Sequence, residues 1–212
     1  MHVDPYERAP RLPEGPVDPS ALFAPTPAES SVPPARRLEL EIGPGRGWFI
    51  LERLEVDPEV SLIGLEIRRK WATIVDDRLA KRGLAHRARV FAEDAKAALP
   101  RFPSASLAVA YLHFPDPWWK KRHQKRLVLG PELLRELARV LLPGGELFIQ
   151  TDVPERADDY EALVAECPDF EPALEQARID DHPYGARSPR ERKAIDDGLP
   201  IFRLRYRRRA LG

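Results

Sequence analysis

From Arg37 onward, short apolar runs alternate with longer stretches of helical period. RLELEI (37–42) reads as a strand ending at a glycine-rich turn, and GWFILERLEV (47–56) continues as a helix. SLIGLEI (61–67) predicts a second strand, followed by a helix from Arg68 to about Arg82. ARVFAED (88–94) predicts a third strand and ASLAVAYLHF (105–114) a fourth. PELLRELARVLLPGG (131–145) has the spacing of a helix stopped by glycine, GELFIQTD (145–152) that of a fifth strand, and ERADDYEALVAE (155–166) that of another helix. Strands that alternate with helices and are nearly continuous in apolar residues predict an α/β domain, with a mostly parallel central sheet covered by helices on both faces. Beyond Pro168 the strand signals weaken. The best late candidate is IFRLRYRRR (201–209), where Ile201, Arg203, Arg205 and Arg207 alternate with Phe202, Leu204 and Tyr206 as in an antiparallel C-terminal edge strand with one wet face.

The first 35 residues break this pattern. They hold nine prolines and almost no periodic apolar positions, so residues 1–35 read as an extended or disordered arm, dispensable for the chemistry of the domain at 36–212. At 212 residues and 43% hydrophobic content, the chain can bury one sizeable core. Its apolar runs are far shorter than the roughly 20 residues that span a bilayer. The N-terminus has no basic region followed by an apolar stretch, and Cys167 is the single cysteine, so a cytoplasmic protein without a disulfide framework is expected. The 34 basic and 34 acidic residues cancel, but the basic charge is concentrated at 120–126 and again at 202–209. The five histidines (His2, His86, His113, His123, His182) lack metal-ligand spacing, so no metal is implied and each is assigned a surface or packing role.

Candidate chemistry sits at the predicted strand ends, where parallel α/β sheets bind ligands. The first strand ends in LEIGPGRGW: Glu41, then Gly43, Gly45 and Gly47. The glycines allow a tight turn and a close approach of backbone to ligand at a helix N-terminus. Their spacing is GxGxG rather than the GxGxxG of dinucleotide binders, and the preceding acid suits an ammonium group better than a pyrophosphate. Glu66 ends the second strand, where a carboxylate can accept both hydroxyls of a ribose, and Asp94 follows the third, within reach of an adenine amino group. An acid, glycines and two more acids in this order are the layout of an S-adenosyl-L-methionine site in Rossmann-like class I methyltransferases. The fourth strand leads into FPDPWWKKRHQKR (114–126), where Pro115 and Pro117 restrain Asp116 beside a tryptophan pair and five cationic residues among the seven at 120–126. A carboxylate, aromatics and cations suit a purine base within a phosphate-rich polymer.

The run FPDPWWKKRHQKRL resembles the bacterial tRNA (guanine-N7-)-methyltransferase family, and the similarity extends from about Arg37 to Arg208. The resemblance implies methyl transfer from S-adenosyl-L-methionine to N7 of guanosine 46 in the tRNA variable loop. It also implies cofactor contacts by Glu41, Glu66, Asp94 and Asp116, with Asp116 at the catalytic centre. Lys120 and Asp152 would bind substrate, as would Ser188 and Glu191 of a late T-x-x-E motif. That motif reads SPRE here, with serine for threonine and Pro189 inside it, and VPERADDY (153–160) departs from the aromatic-rich family version. Because guanine N7 loses no proton on methylation, Asp116 is expected to position rather than deprotonate. Other readings are a small-molecule methyltransferase, a non-catalytic RNA-binding protein on the same scaffold, and an NAD-dependent dehydrogenase, the last disfavoured by the glycine spacing. Partners are then tRNA without a membrane, and the chain is a monomer or homodimer.

Overall fold

The computed structural model describes residues 6–25, 37–115 and 128–210. Five strands alternate with helices: β1 (Arg37–Ile42), α1 (Trp48–Val56), β2 (Val60–Leu65), α2 (Arg69–Lys81), β3 (Ala88–Phe91), α3 (Ala95–Ala98), β4 (Leu107–His113), α4 (Pro131–Val140) and β5 (Leu141–Thr151). Then come α5 (Pro154–Ala165), the short strands β6 (Phe170–Pro172) and β7 (Arg178–Ile179), α6 (Pro189–Asp196) and β8 (Phe202–Arg208). The sheet order is β3-β2-β1-β4-β5-β8-β6, with β7 also paired to β8. Pairs among β1–β5 are parallel, whereas β8 runs antiparallel to β5, β6 and β7. This is the predicted architecture, with β6 and β7 completing the edge outside β8. Helix α4 stops at Val140 rather than running into LLPGG, since Pro143 disfavours helical backbone at the residue before it. Helices α4, α5 and α6 all open on proline, whose missing N–H is no loss in a first turn. Among the described residues no helix is long and apolar enough to cross a membrane.

The two faces of the sheet differ in chemistry. Registered neighbours Ile63, Leu40, Ala110, Leu147 and Tyr206 share one face, as do Leu65, Ile42, Leu112, Ile149 and Leu204. All are buried in one apolar cluster with residues of α3, α4 and α5. The other face carries Glu39, Glu41, Tyr111, His113, Phe148, Gln150, Arg203 and Arg205, interleaving aromatic with charged side chains. It lies against Phe49 and Arg53 of α1 and against residues 182–191. The face of β8 expected to be wet is therefore covered. Arg203 is buried against Glu191, and Arg205 is paired with Glu146 at 2.8 Å. These two arginines of the 202–209 concentration thus serve internal charge balance.

The described part of the arm is extended, as its prolines dictate, but it is fastened to the domain. Pro10 accepts a hydrogen bond from Ala92 N at 2.7 Å, Val17 N donates to Arg101 O at 2.8 Å, and Ala24 N donates to Ala85 O at 3.0 Å. A short 3-10 turn, Pro19–Leu22, is capped by Asp18. Leu12, Val17 and Leu22 are buried in the apolar cluster with Phe91, Ala98, Leu99 and Phe102. Helix α3 is a single turn, and the arm supplies apolar cover beside it. Residues 6–25 therefore pack into the core, although the sequence there shows almost no periodic apolar positions. Their apolar contacts fall on an extended chain without helical or strand period, so no pattern announced them. Leu22→Ala should destabilise the protein by about 2 to 5 kcal/mol, the range for emptying a buried leucine site. Equilibrium denaturation with an unchanged midpoint would show that the arm does not belong to the core.

Candidate functional site

The order of strands reverses at β1: β2 and β3 lie to one side, β4 and β5 to the other. A crevice opens at such a reversal, beyond the C-terminal ends of β1 and β4. Gly43, Gly45 and Gly47 turn the chain there with φ of 73°, 53° and 69°, values that side-chain-bearing residues rarely adopt. Gly47 is also needed for space, because a Cβ on it would lie 2.3 Å from Val75 Cγ1 of α2. It stands at the N-cap of α1 without a side-chain cap, so the helix start offers its N–H groups to a ligand. Glu66 ties the loop down. Its Oε2 accepts from Gly45 N at 3.0 Å, and its Oε1 accepts from Arg68 N at 2.9 Å and Arg68 Nε at 3.2 Å. Oε1 is thereby saturated, whereas Oε2 keeps one lone pair, so acceptor capacity for one further hydrogen bond remains.

A cleft of about 290 Å³ lies above this turn, lined by Glu41, Gly43, Gly47, His113, Ser188 and Arg190 among others. The Glu41 side chain is only 3% exposed; its Oε1 lies 2.9 Å from His113 Nδ1, and its Oε2 has no hydrogen-bond partner among the described residues. A buried carboxylate oxygen left unpaired is costly, and a cationic donor is the ligand group that satisfies it best. This pocket, with its glycine turn, fits the α-ammonium end of S-adenosyl-L-methionine. At the end of β4, Phe114 adopts φ 46°, an outlier for a bulky side chain, immediately before Pro115.

The structure distributes the remaining candidates unevenly. Asp94 follows β3 as expected, but it is exposed and caps α3 through Oδ1, which accepts from Lys96 N at 2.9 Å. Asp152 follows β5 and holds Arg190 Nη2 at 2.9 and 3.1 Å, and Arg190 in turn lines the cleft with its guanidinium over Phe114. Ser188 caps α6, accepting from Glu191 N at 3.2 Å. Glu191 is fully buried, its Oε1 accepting from Arg203 Nε at 3.1 Å and Nη2 at 2.8 Å. Glu41, Gly43, Gly47 and Ser188 thus meet around one cleft; Asp152 reaches it through Arg190, Glu66 is tied to the glycine turn through Gly45, and Glu191 stands behind it. Asp116 and Lys120 lie outside the described residues, as do Lys121, Arg122, Lys125 and Arg126.

A family model described as "Putative methyltransferase" matches residues 35–204. The tRNA (guanine-N(7)-)-methyltransferase of Myxococcus xanthus is 40% identical over 172 residues, spanning 79% of this chain and 82% of the relative. That of Synechococcus sp. WH7803 is 37% identical over 216 residues, spanning 98% and 86%. The chain belongs to the tRNA (guanine-N(7)-)-methyltransferase family. Solved structures support the fold alone: the 16S rRNA methyltransferase KamB superposes with a TM-score of 0.58 at 16% identity over 82% of this chain and 88% of that one. A SAM-dependent O-methyltransferase from Thermotoga maritima does so at 0.53 and 16%, over 84% and 62%.

Beneath the family's strand-end acids lies a polar layer that the sequence did not reveal. Arg53 donates to Glu39 through Nε at 2.9 Å and Nη2 at 2.8 Å, and Tyr111 Oη donates to the same carboxylate at 2.7 Å. Burial alone would lower the Arg53 pKa, but its bonds to Glu39 raise it. His113 and His182, assigned from sequence to surface or packing roles, sit side by side here with ring centroids 5.8 Å apart. Among the described residues, buried side-chain atoms without partners concentrate in this layer: Glu41 Oε2, His113 Nε2, both amide atoms of Gln150, His182 Nε2, Arg187 Nε and Glu191 Oε2. The lone signal in the sequence was a serine three residues before a glutamate, the mark of a helix start, which would have found α6. A larger cleft of about 660 Å³ opens at the opposite end of the strands, beside Arg37, Arg53, Glu146 and Arg205. Its charges are already paired with one another, which leaves no open acceptor or donor comparable to Glu41.

Burial pushes the His182 pKa down to about 2, with nearby His113, Arg203, Arg187 and Arg53 acting in the same direction. The unfolded chain therefore binds a proton at His182 below about pH 6.5 that the folded chain refuses. The stability it contributes is complete above that pH and is lost as pH falls toward 2, by at most about 1.4 kcal/mol per pH unit. Urea unfolding at pH 7 and pH 5 should show a steeper loss for the parent protein than for His182→Asn. Parallel losses would contradict a histidine held neutral by its surroundings.

Proposed function

We propose that this chain transfers a methyl group from S-adenosyl-L-methionine to N7 of guanosine 46 in the variable loop of tRNA, acting in the cytoplasm. The observation that carries the reading is Glu41: a buried carboxylate with one oxygen unpartnered among the described residues, beside a left-handed glycine turn, in a chain of this family. When bound, the cofactor supplies an electrophilic sulfonium methyl group. Glu41 would take its ammonium, the backbone of Gly43, Gly45 and Gly47 would lie against its amino-acid and ribose portions, and Glu66 would offer the one lone pair left on Oε2 to a ribose hydroxyl. Asp94 keeps its second oxygen for the adenine amino group, since its first caps α3.

On the substrate side, Asp116 accepts hydrogen bonds from the guanine pairing edge and stabilises the positive charge that spreads over the purine as N7 is methylated. N7 already carries a lone pair, so no general base is required. Lys120 pairs with phosphate. Asp152 and Ser188 shape the rim, the first by holding Arg190 and the second by fixing the start of α6. Glu191 supports them from below through Arg203.

Incubation of the purified protein with labelled S-adenosyl-L-methionine and tRNA, followed by nucleoside analysis, should yield 7-methylguanosine at position 46. A different nucleoside or a methylated small molecule would overturn the reading. Asp116→Asn should lower single-turnover methylation by about 10² to 10³-fold, the usual effect of losing a preorganised electrostatic group. The loss should be nearly constant from mildly acidic to mildly alkaline pH. A parent rate that follows the ionisation of one group would instead point to acid-base chemistry.

A further inference from the structure

His113 does more than fill space beneath the cleft. It ends β4, and the side chains of His113 and Glu41 are 4% and 3% exposed. The 2.9 Å contact joins His113 Nδ1 to Glu41 Oε1, with the imidazole N–H as donor and the carboxylate oxygen as acceptor. The imidazole is held in orientation by rings around it: Phe49 at 4.2 Å between centroids, Tyr111 nearly parallel at 5.5 Å, Phe148 and His182 both at 5.8 Å. A glutamate side chain has three rotatable bonds, and its last one is soft. With one oxygen bonded to a fixed donor, the rotation that would turn the other oxygen away is removed.

We propose that His113 is a positioning residue that orients the Glu41 carboxylate, committing Oε1 so that Oε2 is presented to the ammonium group of the cofactor. The inference rests on the reading of Glu41 given under Proposed function. It differs from a packing role in one respect: its effect is confined to ligands that carry the ammonium group and disappears when Glu41 no longer binds it.

Two ligands separate these roles. S-adenosylhomocysteine carries the amino-acid portion, and 5′-methylthioadenosine lacks it while keeping the adenosine and sulfur. By calorimetry, His113→Phe, which keeps a ring but loses the donor, should weaken S-adenosylhomocysteine about 10-fold or more, a loss typical of hydrogen bonds to charged groups. 5′-Methylthioadenosine should change by no more than about twofold, and His113→Asn, which restores a donor near the position of Nδ1, should recover part of the loss. In a Glu41→Gln background the effect of His113→Phe on S-adenosylhomocysteine should shrink to within about twofold. Should the phenylalanine variant not fold, His113→Leu carries the same comparisons. Equal losses for both ligands, no loss for either, or a full loss persisting in the Glu41→Gln background would each overturn the proposal. Failure of the parent protein to bind S-adenosylhomocysteine at all would overturn the underlying reading of the cleft instead.

Discussion

Carboxylates on the covered face of the sheet must be neutralised within the protein, and much of the architecture around the site answers that demand. Glu39 receives Arg53 from α1 and the Tyr111 hydroxyl from β4; Glu146 receives Arg205 from β8; Glu191 of α6 receives Arg203 from β8. Leaving the buried charge of Glu39 or Glu191 without its arginine would cost about 3 to 5 kcal/mol, far more than the pair adds over an apolar substitute. The pairs therefore act chiefly as fixtures of position. They set where α1 lies, which face of β8 turns inward, and how α6 is anchored beside the cleft. Glu41 differs in having no arginine partner among the described residues: His113 accounts for one of its oxygens, and the second faces the cleft without a hydrogen-bond partner there.

The opposite face carries the ordinary work of stability. Its residues from β1, β2, β4, β5 and β8 are apolar in register, and α3, α4, α5 and the fastened arm cover them. Separating the two tasks by face lets the polar layer hold unpaired groups such as Gln150 and His182 next to a ligand site without breaching the apolar core. The reversal of strand order at β1 then places the open end of that polar layer where a ligand can enter.

The five parallel strands and helices α1, α2, α4 and α5 were legible in the sequence because each has a clear apolar period, and the glycine spacing marked the turn after β1. The placement of Glu41 and Glu66 at the ends of strands was legible for the same reason. What escaped was whatever depended on a partner distant in the chain. Arg203 and Arg205 look like a solvated strand face until Glu191 and Glu146 are brought against them. His113 and His182 lack ligand spacing, yet the fold puts their rings together. Leu12, Val17 and Leu22 pack from an extended segment that has no period to read. Asp94 stood where expected, but its exposure and capping role follow from the single turn of α3, which was too short to predict.

In the proposed function the cofactor enters the small cleft at the C-terminal ends of β1 and β4 rather than the larger one at the other end of the strands. Hydrogen–deuterium exchange with and without S-adenosyl-L-methionine distinguishes them. Amides of the glycine turn through the start of α1, together with Glu66 and Arg68, should exchange more slowly when the cofactor is present, while Leu142–Glu146 and Tyr184–Gly185 should be unaffected. Protection confined to those last segments, with none in the glycine turn, would contradict the account.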